Sequence, residues 1–472
     1  MSTSISSMAY VWVWLPGSNE PVPAGLLQAR GTDLWFRYGE RYFERQGAVS
    51  LYSPELPLRA EWFGPKADLH MPGALRDGSP DAWGRRVILN RLTGRRGDDV
   101  DVDVDSLSEL TYLLESGSNR FGAIDFQASA TEYVPRTDTA SLDDLHRVAE
   151  LVEAGEPIPP ALADALMSGT AIGGARPKAL VEDDGHQYIA KFSTTADMFS
   201  VVGAEAASIE LARRAGINVP PAKVVPSLGR NVLLTERFDR VGGGGRRMVV
   251  SGLTILGLGE MTSRYGTYPG LLDELRLHSA HPETVGERLF QRIAFNIAIS
   301  NTDDHLRNHA AFWDGEHLEL TPAYDLSPMN RSGETAAQIL AFGRDGERES
   351  SFAALVGVSY VYGIPERKAR AIVNDMVDVI HTNWDEAADI ARLTANDRNF
   401  LWGRQILNPA ASYGFAAQVV AVASPLGQAA VLRGAGQGAC GVWMPRARTT
   451  CVLLPGHGGH HRSTFPASSQ VK

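Results

Sequence analysis

Two aspartates and an asparagine in the second half of the chain have the types and spacing that phosphoryl transfer requires. The run Asn301-Thr-Asp-Asp-His-Leu-Arg-Asn308 follows an apolar helical segment and places Asp303 five residues before Asn308. At this spacing in kinase catalytic loops, the Asp accepts the proton of the substrate hydroxyl and the Asn holds a metal ion. Asp325 follows seventeen residues after Asn308, where a second carboxylate could bridge Mg²⁺ to phosphate. We therefore predict Asp303 as catalytic base and Asn308 and Asp325 as metal ligands.

The Asp-to-Asn spacing has an ordinary structural explanation as well. A turn or a helix-capping loop uses the same residue types, so Asp303 and Asn308 alone do not identify an active site. Asp325, however, lies in Pro322-Ala-Tyr-Asp-Leu-Ser-Pro328 just after the strand-like segment 317–320. Two acidic positions at a kinase-like separation, with strands beside them, favour phosphoryl transfer.

A glycine-rich segment precedes these residues in the chain. Gly169-Thr-Ala-Ile-Gly-Gly-Ala-Arg-Pro-Lys178 would let backbone N–H groups approach a phosphate, although it lacks the GxxxxGK[ST] pattern and could be a plain turn. Lys191 follows on the predicted strand Tyr188-Ile-Ala-Lys-Phe192, and Glu205 lies on the next predicted helix. Either residue alone could be a solvated surface charge. Together with Asp303 and Asp325 they occur in kinase order.

Alternation and helical periodicity predict the elements that position these residues. Strands are predicted over residues 9–15, 34–36, 49–52, 179–183, 187–192 and 231–238. Helices are predicted over residues 80–92, 107–115, 142–153, 202–215, 284–299 and 364–380, with a hairpin or loop at 242–245.

The composition restricts the class of protein. Hydrophobic residues make up 44% and charged residues 21%, as in ordinary globular chains. A net charge of −10 argues against non-specific nucleic-acid binding as the main activity. The two cysteines, Cys440 and Cys451, fit a reducing compartment. With no uninterrupted apolar span and no signal-peptide pattern, we expect a cytoplasmic protein without membrane association.

Several longer motifs together resemble a known family. GGARPKA, AKF, ERFDR, NTDDHLRNH and TPAYDLSP, and the N-terminal stretch Leu75-Arg-Asp-Gly-Ser-Pro-Asp-Ala-Trp-Gly-Arg85, are similar to the HipA family of bacterial toxin–antitoxin kinases. The resemblance covers roughly residues 8–408. It implies an α+β fold: a divergent, two-lobed protein-kinase-like fold with an added N-terminal subdomain and a mostly helical C-terminal lobe.

The resemblance also implies an activity, cofactors and partners. The expected activity is ATP- and Mg²⁺-dependent phosphorylation of Ser or Thr on a protein, with an aminoacyl-tRNA synthetase as the expected substrate, so that translation is inhibited. The expected partner is a HipB-like helix-turn-helix antitoxin, through which the chain would reach DNA only indirectly.

The family's site residues carry over onto matching positions of this sequence. Asp303 matches the catalytic base, Asn308 and Asp325 match the metal ligands, and Lys191 matches the lysine that holds the ATP phosphates. Glu236 and Phe238 match the hinge that contacts adenine. Gly173, Gly174 and Ala175 match the loop that covers ATP. Supporting roles fall to Glu205, His305 and Arg307.

One position departs from the family pattern. Many HipA-like kinases carry an autophosphorylated Ser three to four residues before the position of Gly174, where this chain has Ala171. Thr170 and Ser168 are neighbouring hydroxyls that could replace it. The departure leaves self-inactivation of this loop open, and regulation by the partner alone is the alternative.

Domain boundaries follow from composition together with the resemblance. We predict an N-terminal subdomain over residues 8–140, a kinase N-lobe-like region over 145–265 and a helical catalytic lobe over 266–408. Residues 409–472 contain five Lys or Arg and no Asp or Glu, whereas the preceding part has a net charge of −15. We interpret them as a disordered or aberrant tail.

Two other functions remain open at this stage. Kinase-like folds also phosphorylate small molecules with the same acidic and amide residues, because a fold does not determine a substrate. A non-catalytic co-repressor subunit acting through a DNA-binding partner is the second alternative. The complete set Lys191, Asp303, Asn308 and Asp325 favours a catalyst.

Overall fold

The computed structural model describes residues 7–93, 107–136, 141–153, 156, 159, 178–194, 197–330, 333, 335–415, 443–444 and 449–450. Contacts divide the chain into two compact units, residues 1–417 and residues 418–472. Helices and antiparallel sheets are mixed in the first unit, which confirms the predicted α+β class. Within the described ranges, no helix has the length and apolar character needed to cross a membrane.

The first unit begins with a four-stranded antiparallel sheet of order β3-β2-β1-β4. Its strands are β1 (Met8–Trp14), β2 (Pro21–Arg30), β3 (Asp33–Tyr38) and β4 (Ile124–Gln127). The sequence did not predict β2, because Pro21 and Pro23 at its start normally argue against a strand. Pro23 pairs with Trp12 beside a register shift in β1, because a bulge tolerates a residue that lacks an N–H.

Four helices accompany this sheet: α1 (Glu40–Phe43), α2 (Gly73–Arg76), α3 (Ala82–Thr93) and α4 (Glu109–Glu115). Ser108 caps α4, since its Oγ accepts the Thr111 N–H at 3.2 Å. The strand predicted over residues 49–52 is wrong, because that segment forms only an isolated bridge between Tyr52 and Leu56.

A second antiparallel sheet has the order β5-β6-β8-β7. It contains β5 (Lys178–Asp183), β6 (His186–Phe192), β7 (Ala222–Ser227) and β8 (Arg230–Glu236) and is flanked by α5 (Leu142–Glu153) and α6 (Val201–Arg214). Leu233 belongs to the main core on the α6 side, whereas Val232 and Leu234 pack in a cluster with α3 and α5. Side chains along a strand point alternately to the two faces of a sheet. Lys191 pairs with Leu233 and so lies on the α6 side of β6, facing Glu205.

The remainder of the first unit is mostly helical, as predicted. A hairpin of β9 (Arg240–Val241) and β10 (Gly245–Arg246) confirms the turn expected at residues 242–245. A small sheet of order β11-β12-β13 follows, with strands Met248–Ser251, Ala310–Trp313 and Leu318–Leu320. The helices are α7 (Gly252–Ile255), α8 (Tyr268–His278), α9 (Pro282–Ala298), α10 (Phe352–Gly357), α11 (Glu366–Ile390) and α12 (Ala395–Leu401).

The packed unit extends slightly past the predicted start of the tail. Pro409–Ser412 form a 3₁₀ turn in which Ala411 is fully buried. The ring of Phe415 lies 5.8 Å from that of Phe352 on α10. In the second unit, the structure describes β14 (Trp443–Met444) paired with β15 (Thr449–Thr450).

Candidate active site

The catalytic-loop motif directly follows α9 and is held by its second aspartate. Asp304 is buried, and its Oδ2 accepts hydrogen bonds from Asn296 Nδ2 at 2.7 Å and from the Tyr268 hydroxyl. His309 Nε2 lies 2.9 Å from the same oxygen. With Asp304 fixed inward on three partners, the preceding Asp303 is exposed to solvent. An exposed carboxylate can reach a substrate hydroxyl, which suits the role predicted for Asp303.

Asn308 ends a 3₁₀ turn that curls back to the start of the loop. Its Nδ2 donates to the Asp303 carbonyl at 3.4 Å, and the Asn308 backbone N–H donates to the His305 carbonyl at 2.9 Å. The side chain is largely buried. The bond to Asp303 directs the amide oxygen of Asn308, a hard ligand for Mg²⁺, away from that carbonyl.

Lys191 on β6 links α6 to the loop that carries Asp325. Its Nζ donates to Glu205 Oε1 on α6 at 2.6 Å and to Asp325 Oδ1 at 2.6 Å. Burial alone would lower the pKa of Lys191, but the two carboxylates outweigh it and raise the pKa above its usual value. Residues separated by 134 positions in the sequence therefore meet in one charged cluster.

Asp325 occupies a backbone conformation that few non-glycine residues adopt. Its φ is 58°, and Asn301 Nδ2 donates to its carbonyl at 3.3 Å. The attraction of Lys191 lowers the pKa of the Asp325 carboxyl below its ordinary value, despite the opposing effect of burial. Its side chain remains 39% exposed. Asp325 is thus ionised and accessible, as a metal ligand must be.

Arg307 is anchored in the loop through both its side chain and its carbonyl. Arg307 Nε donates to Glu260 Oε1 at 2.9 Å, and the Arg307 carbonyl accepts the Tyr324 hydroxyl at 2.7 Å. Burial alone would lower the pKa of Arg307, but the hydrogen bond and ion pair with Glu260 outweigh it and raise the pKa above its usual value. The Nδ1 of His305 is buried without a hydrogen-bond partner among the described residues.

The predicted hinge residues lie at the end of β8. The Glu236 N–H is bonded to the Pro221 carbonyl at 2.8 Å, and its Oε1 lies 2.8 Å from His186 Nδ1. The ring of Phe238 packs against Phe121 and Phe312, with both centroid distances 5.8 Å. Phe238 therefore supplies apolar surface at this edge.

Some predicted site residues lie outside the described residues. These are the glycine-loop positions Gly173, Gly174 and Ala175, with Thr170, Ser168 and Ala171. Lys178, the last residue of that loop, begins β5 and pairs in register with Lys191. Burial and then the charge of Lys191 lower the pKa of Lys178.

Sequence reasoning missed the charged residues of the ERFDR motif. Arg237 donates to the carbonyls of Asn119 at 2.9 Å and Arg120 at 2.6 Å, and its Nη2 donates to Asp239 Oδ2 at 2.7 Å. The Gly122 N–H also donates to Asp239 at 2.7 Å. The motif was recognised in the sequence, but its partners Asn119, Arg120 and Gly122 lie more than 100 residues away in the chain.

Several known proteins resemble this chain in sequence or in fold. Residues 170–384 match the family model described as the HipA-like C-terminal domain. Among curated proteins, the candidate kinase Y4mE of Sinorhizobium fredii is 26% identical over 66% of this chain and 76% of its own length. Toxin YjjJ of Escherichia coli is 29% identical over 32% of each chain. HipA of Shewanella oneidensis, solved with HipB and operator DNA, superposes with a TM-score of 0.58 at 18% identity, over 85% of this chain and 97% of that one.

Proposed function

Because residues 170–384 match the family model described as the HipA-like C-terminal domain, we propose that this chain is a toxin-type protein kinase that transfers the γ-phosphate of ATP to Ser or Thr. The observation that carries the proposal is the contact of Lys191 with both Glu205 and Asp325, together with the bond from Asn301, two residues before the exposed Asp303, to the Asp325 carbonyl. Such an arrangement would supply a cation for the phosphates, a carboxylate for the metal ion and a base for the acceptor hydroxyl, the groups that phosphoryl transfer requires.

The donor set fits a hard cation. Within the described part of the chain, no group of three or more His, Cys, Asp or Glu side chains is arranged around a common metal position. Magnesium typically takes only one or two carboxylates together with phosphate oxygens and water. One carboxylate from Asp325 and one amide oxygen from Asn308 meet that requirement. A bound Mg²⁺ would neutralise charge on the phosphates of ATP.

The protein residues would divide the chemistry as follows. Lys191 Nζ would hold the phosphates, and Asp303 would orient the substrate hydroxyl and take its proton on a carboxylate oxygen. The hydroxyl oxygen forms a bond to the γ-phosphorus while ADP leaves with the electrons of the broken bond. Gly173, Gly174 and Ala175 are proposed to cover the phosphates, and Glu236 and Phe238 to border the adenine. Glu205, His305 and Arg307 would hold the others in position.

We propose Thr170 or Ser168 as the modified residue if the loop is autophosphorylated. An N-terminal subdomain over residues 8–140 would precede lobes over 145–265 and 266–408, and because Pro409–Ser412 and Phe415 pack on the first unit, the tail proposed from 409 would begin after them.

The substrate and partner rest on resemblance. HipA of Shewanella oneidensis was solved with HipB and operator DNA, which supports a HipB-like antitoxin as partner and DNA contact through it. An aminoacyl-tRNA synthetase as substrate and a cytoplasmic location complete the proposal.

The decisive experiment measures transfer of labelled γ-phosphate from ATP with Mg²⁺ to the proteins of a bacterial lysate. Wild type is compared with Asp303→Asn and with the matched control Asp378→Asn, which changes an exposed carboxylate on α11. We expect labelled Ser or Thr whose yield falls about 10²- to 10⁴-fold in Asp303→Asn and is unchanged in the control. Labelling of small molecules alone would support a small-molecule kinase. Absence of all transfer by a folded, ATP-binding wild type would support a non-catalytic subunit.

A further inference from the structure

Two buried asparagine side chains connect the catalytic loop with Asp325. Asn296 Nδ2 donates to Asp304 Oδ2 at 2.7 Å, and Asn296 Oδ1 accepts from Asn301 Nδ2 at 3.1 Å. Asn301 Nδ2 also donates to the Asp325 carbonyl at 3.3 Å. Asn296, Asn301 and Asp304 are all buried, so little water competes for these hydrogen bonds. The second aspartate of the catalytic motif is therefore linked to the segment that carries the predicted metal ligand.

The end of α9 places the two asparagines side by side. Ser300 has a φ of 54°, in the left-handed region, and its N–H donates to the Ile297 carbonyl at 3.2 Å. The Asn301 N–H donates to the Asn296 carbonyl at 2.8 Å. This pair of bonds is the Schellman arrangement that terminates many helices. The chain thus turns back at Ser300, which brings the Asn301 side chain against Asn296.

The hydrogen-bonding groups at both ends determine how the two amides are oriented. A carboxylate accepts hydrogen bonds, so Asp304 requires the NH₂ group of Asn296. The oxygen of Asn296 then faces Asn301 and requires an N–H from it. The Asp325 carbonyl is a second acceptor, and the NH₂ group of Asn301 has a second hydrogen for it. Asn301 therefore serves as a double donor between two acceptors, a role that an apolar side chain could not take.

The bond from Asn301 bears on Asp325 because the backbone of Asp325 is in the left-handed region. For a residue with a side chain this conformation costs free energy, and it persists where surrounding contacts hold it. The Asp325 carbonyl also accepts the Ser327 N–H at 3.0 Å, and the Met329 N–H donates to the Ser300 carbonyl at 3.1 Å. Of these three bonds, the one from Asn301 is made by a side chain, so substitution can remove it selectively.

We propose that Asn301 is a positioning residue for the metal site: its side chain fixes the backbone of Asp325 relative to the catalytic loop that carries Asp303 and Asn308. This inference rests on the proposed kinase function. Partners that orient a metal ligand through a hydrogen bond change metal affinity by about 10- to 100-fold when they are removed. Loss of the Asn301 amide should therefore weaken binding of the metal ion and leave the protein acceptor's affinity unchanged.

The test measures binding of Mn²⁺, a paramagnetic substitute for Mg²⁺, to the full-length chain with a non-hydrolysable ATP analogue, and follows free Mn²⁺ by electron paramagnetic resonance. Wild type is compared with Asn301→Ala and with the matched control Ser300→Ala. Ser300 is fully buried and its Oγ donates to the Gln405 carbonyl at 2.7 Å. The control therefore loses a buried bond beside Asn301 and keeps the bond to Asp325. We expect Asn301→Ala to raise the Kd for Mn²⁺ roughly tenfold, whereas Ser300→Ala leaves it unchanged.

Kinetics distinguish positioning of the metal site from a general loss of folded protein. In γ-phosphate transfer by Asn301→Ala, the Mg²⁺ concentration at half-maximal rate should rise roughly tenfold, and excess Mg²⁺ should restore most of the rate. A purely structural role would instead lower the rate equally at every Mg²⁺ concentration. Thermal unfolding is measured on each protein. Should Asn301→Ala not fold, Asn301→Ser is titrated in its place, because a hydroxyl has one hydrogen for the two acceptors.

The outcomes separate this inference from the proposed function. A folded Asn301 variant with the Mn²⁺ affinity of wild type, or an equal rise in Kd for Ser300→Ala, would overturn the positioning role and leave the kinase intact. A wild type that binds neither Mn²⁺ nor the ATP analogue would overturn the proposed function, and this inference with it.

Discussion

The adjacent aspartates of the catalytic loop, Asp303 and Asp304, should respond in opposite ways to replacement by asparagine. Asp304 is buried and its Oδ2 contacts Asn296, Tyr268 and His309. A hydrogen bond to a charged group contributes about 1.5–3 kcal/mol, and a neutral one about 1 kcal/mol. Asp304→Asn keeps an oxygen but loses the charge, so the three contacts together lose about 3 kcal/mol. At about 2 °C per kcal/mol for a large domain, the Tm should fall by about 6 °C.

Asp303→Asn should leave folding almost unchanged and remove activity. The residue is exposed, and substitutions of this kind usually change the free energy of unfolding by less than about 0.5 kcal/mol. Loss of a general base lowers the rate about 10²- to 10⁴-fold. Calorimetry and γ-phosphate transfer, measured on both variants, give the two quantities. Equal Tm values for Asp304→Asn and wild type, or a Tm loss in Asp303→Asn as large as in Asp304→Asn, would refute this division of roles.

Three further perturbations follow from the same contacts. Glu205→Gln keeps an oxygen for Lys191 but removes the negative charge that holds its Nζ between two carboxylates, so Nζ should shift and kcat should fall roughly 10²-fold in phosphate-transfer assays; an unchanged kcat would contradict this. The pKa of Asp325 is lower in the folded protein than in the unfolded chain, where an Asp has a pKa of about 3.9. This difference stabilises the fold above about pH 3.9, and the stabilisation is lost as the pH falls through the lowered pKa of the folded state. The urea midpoint of wild type should therefore drop more steeply in acid than that of Asp325→Asn, and parallel curves would count against it. Arg237→Lys breaks a buried fork and should cost about 3 kcal/mol in urea unfolding, whereas the control Arg213→Lys, on an exposed side chain, should cost almost nothing.

Local patterns predicted most of the elements that hold the site. Alternation on β6 and β8 and the helical period of α6 and α9 are short-range signals, and the structure has these elements within a residue or two of the predicted bounds. The strand β2 was missed because Pro21 and Pro23 normally argue against a strand. The pairing at a bulge that accommodates Pro23 depends on β1, and local sequence does not encode it.

The site also has features that the local sequence predicted and features that depend on distant contacts. The order of Lys191, Glu205, Asp303 and Asp325 was readable, and the structure brings Lys191, Glu205 and Asp325 into direct contact. The anchoring role of Asp304 was not readable, because one of its partners, Tyr268, lies 36 residues away on α8. Which aspartate of an Asp-Asp pair faces solvent depends on packing.

The ERFDR motif shows why features of the site that depend on distant partners could not be predicted from the sequence. Arg237 and Arg240 share the carboxylate of Asp239, and both also donate to the Arg120 carbonyl, at 2.6 Å and 2.5 Å. Burial and the neighbouring Arg237 lower the pKa of Arg240. Because its N–H groups are buried away from water, they need acceptors from the protein. Backbone carbonyls near β4 provide them only once the first sheet has formed. Since Phe238 lies between these charged residues, their contacts with the N-terminal region also fix the position of the proposed hinge. Changes in that region should therefore alter nucleotide affinity without touching the nucleotide.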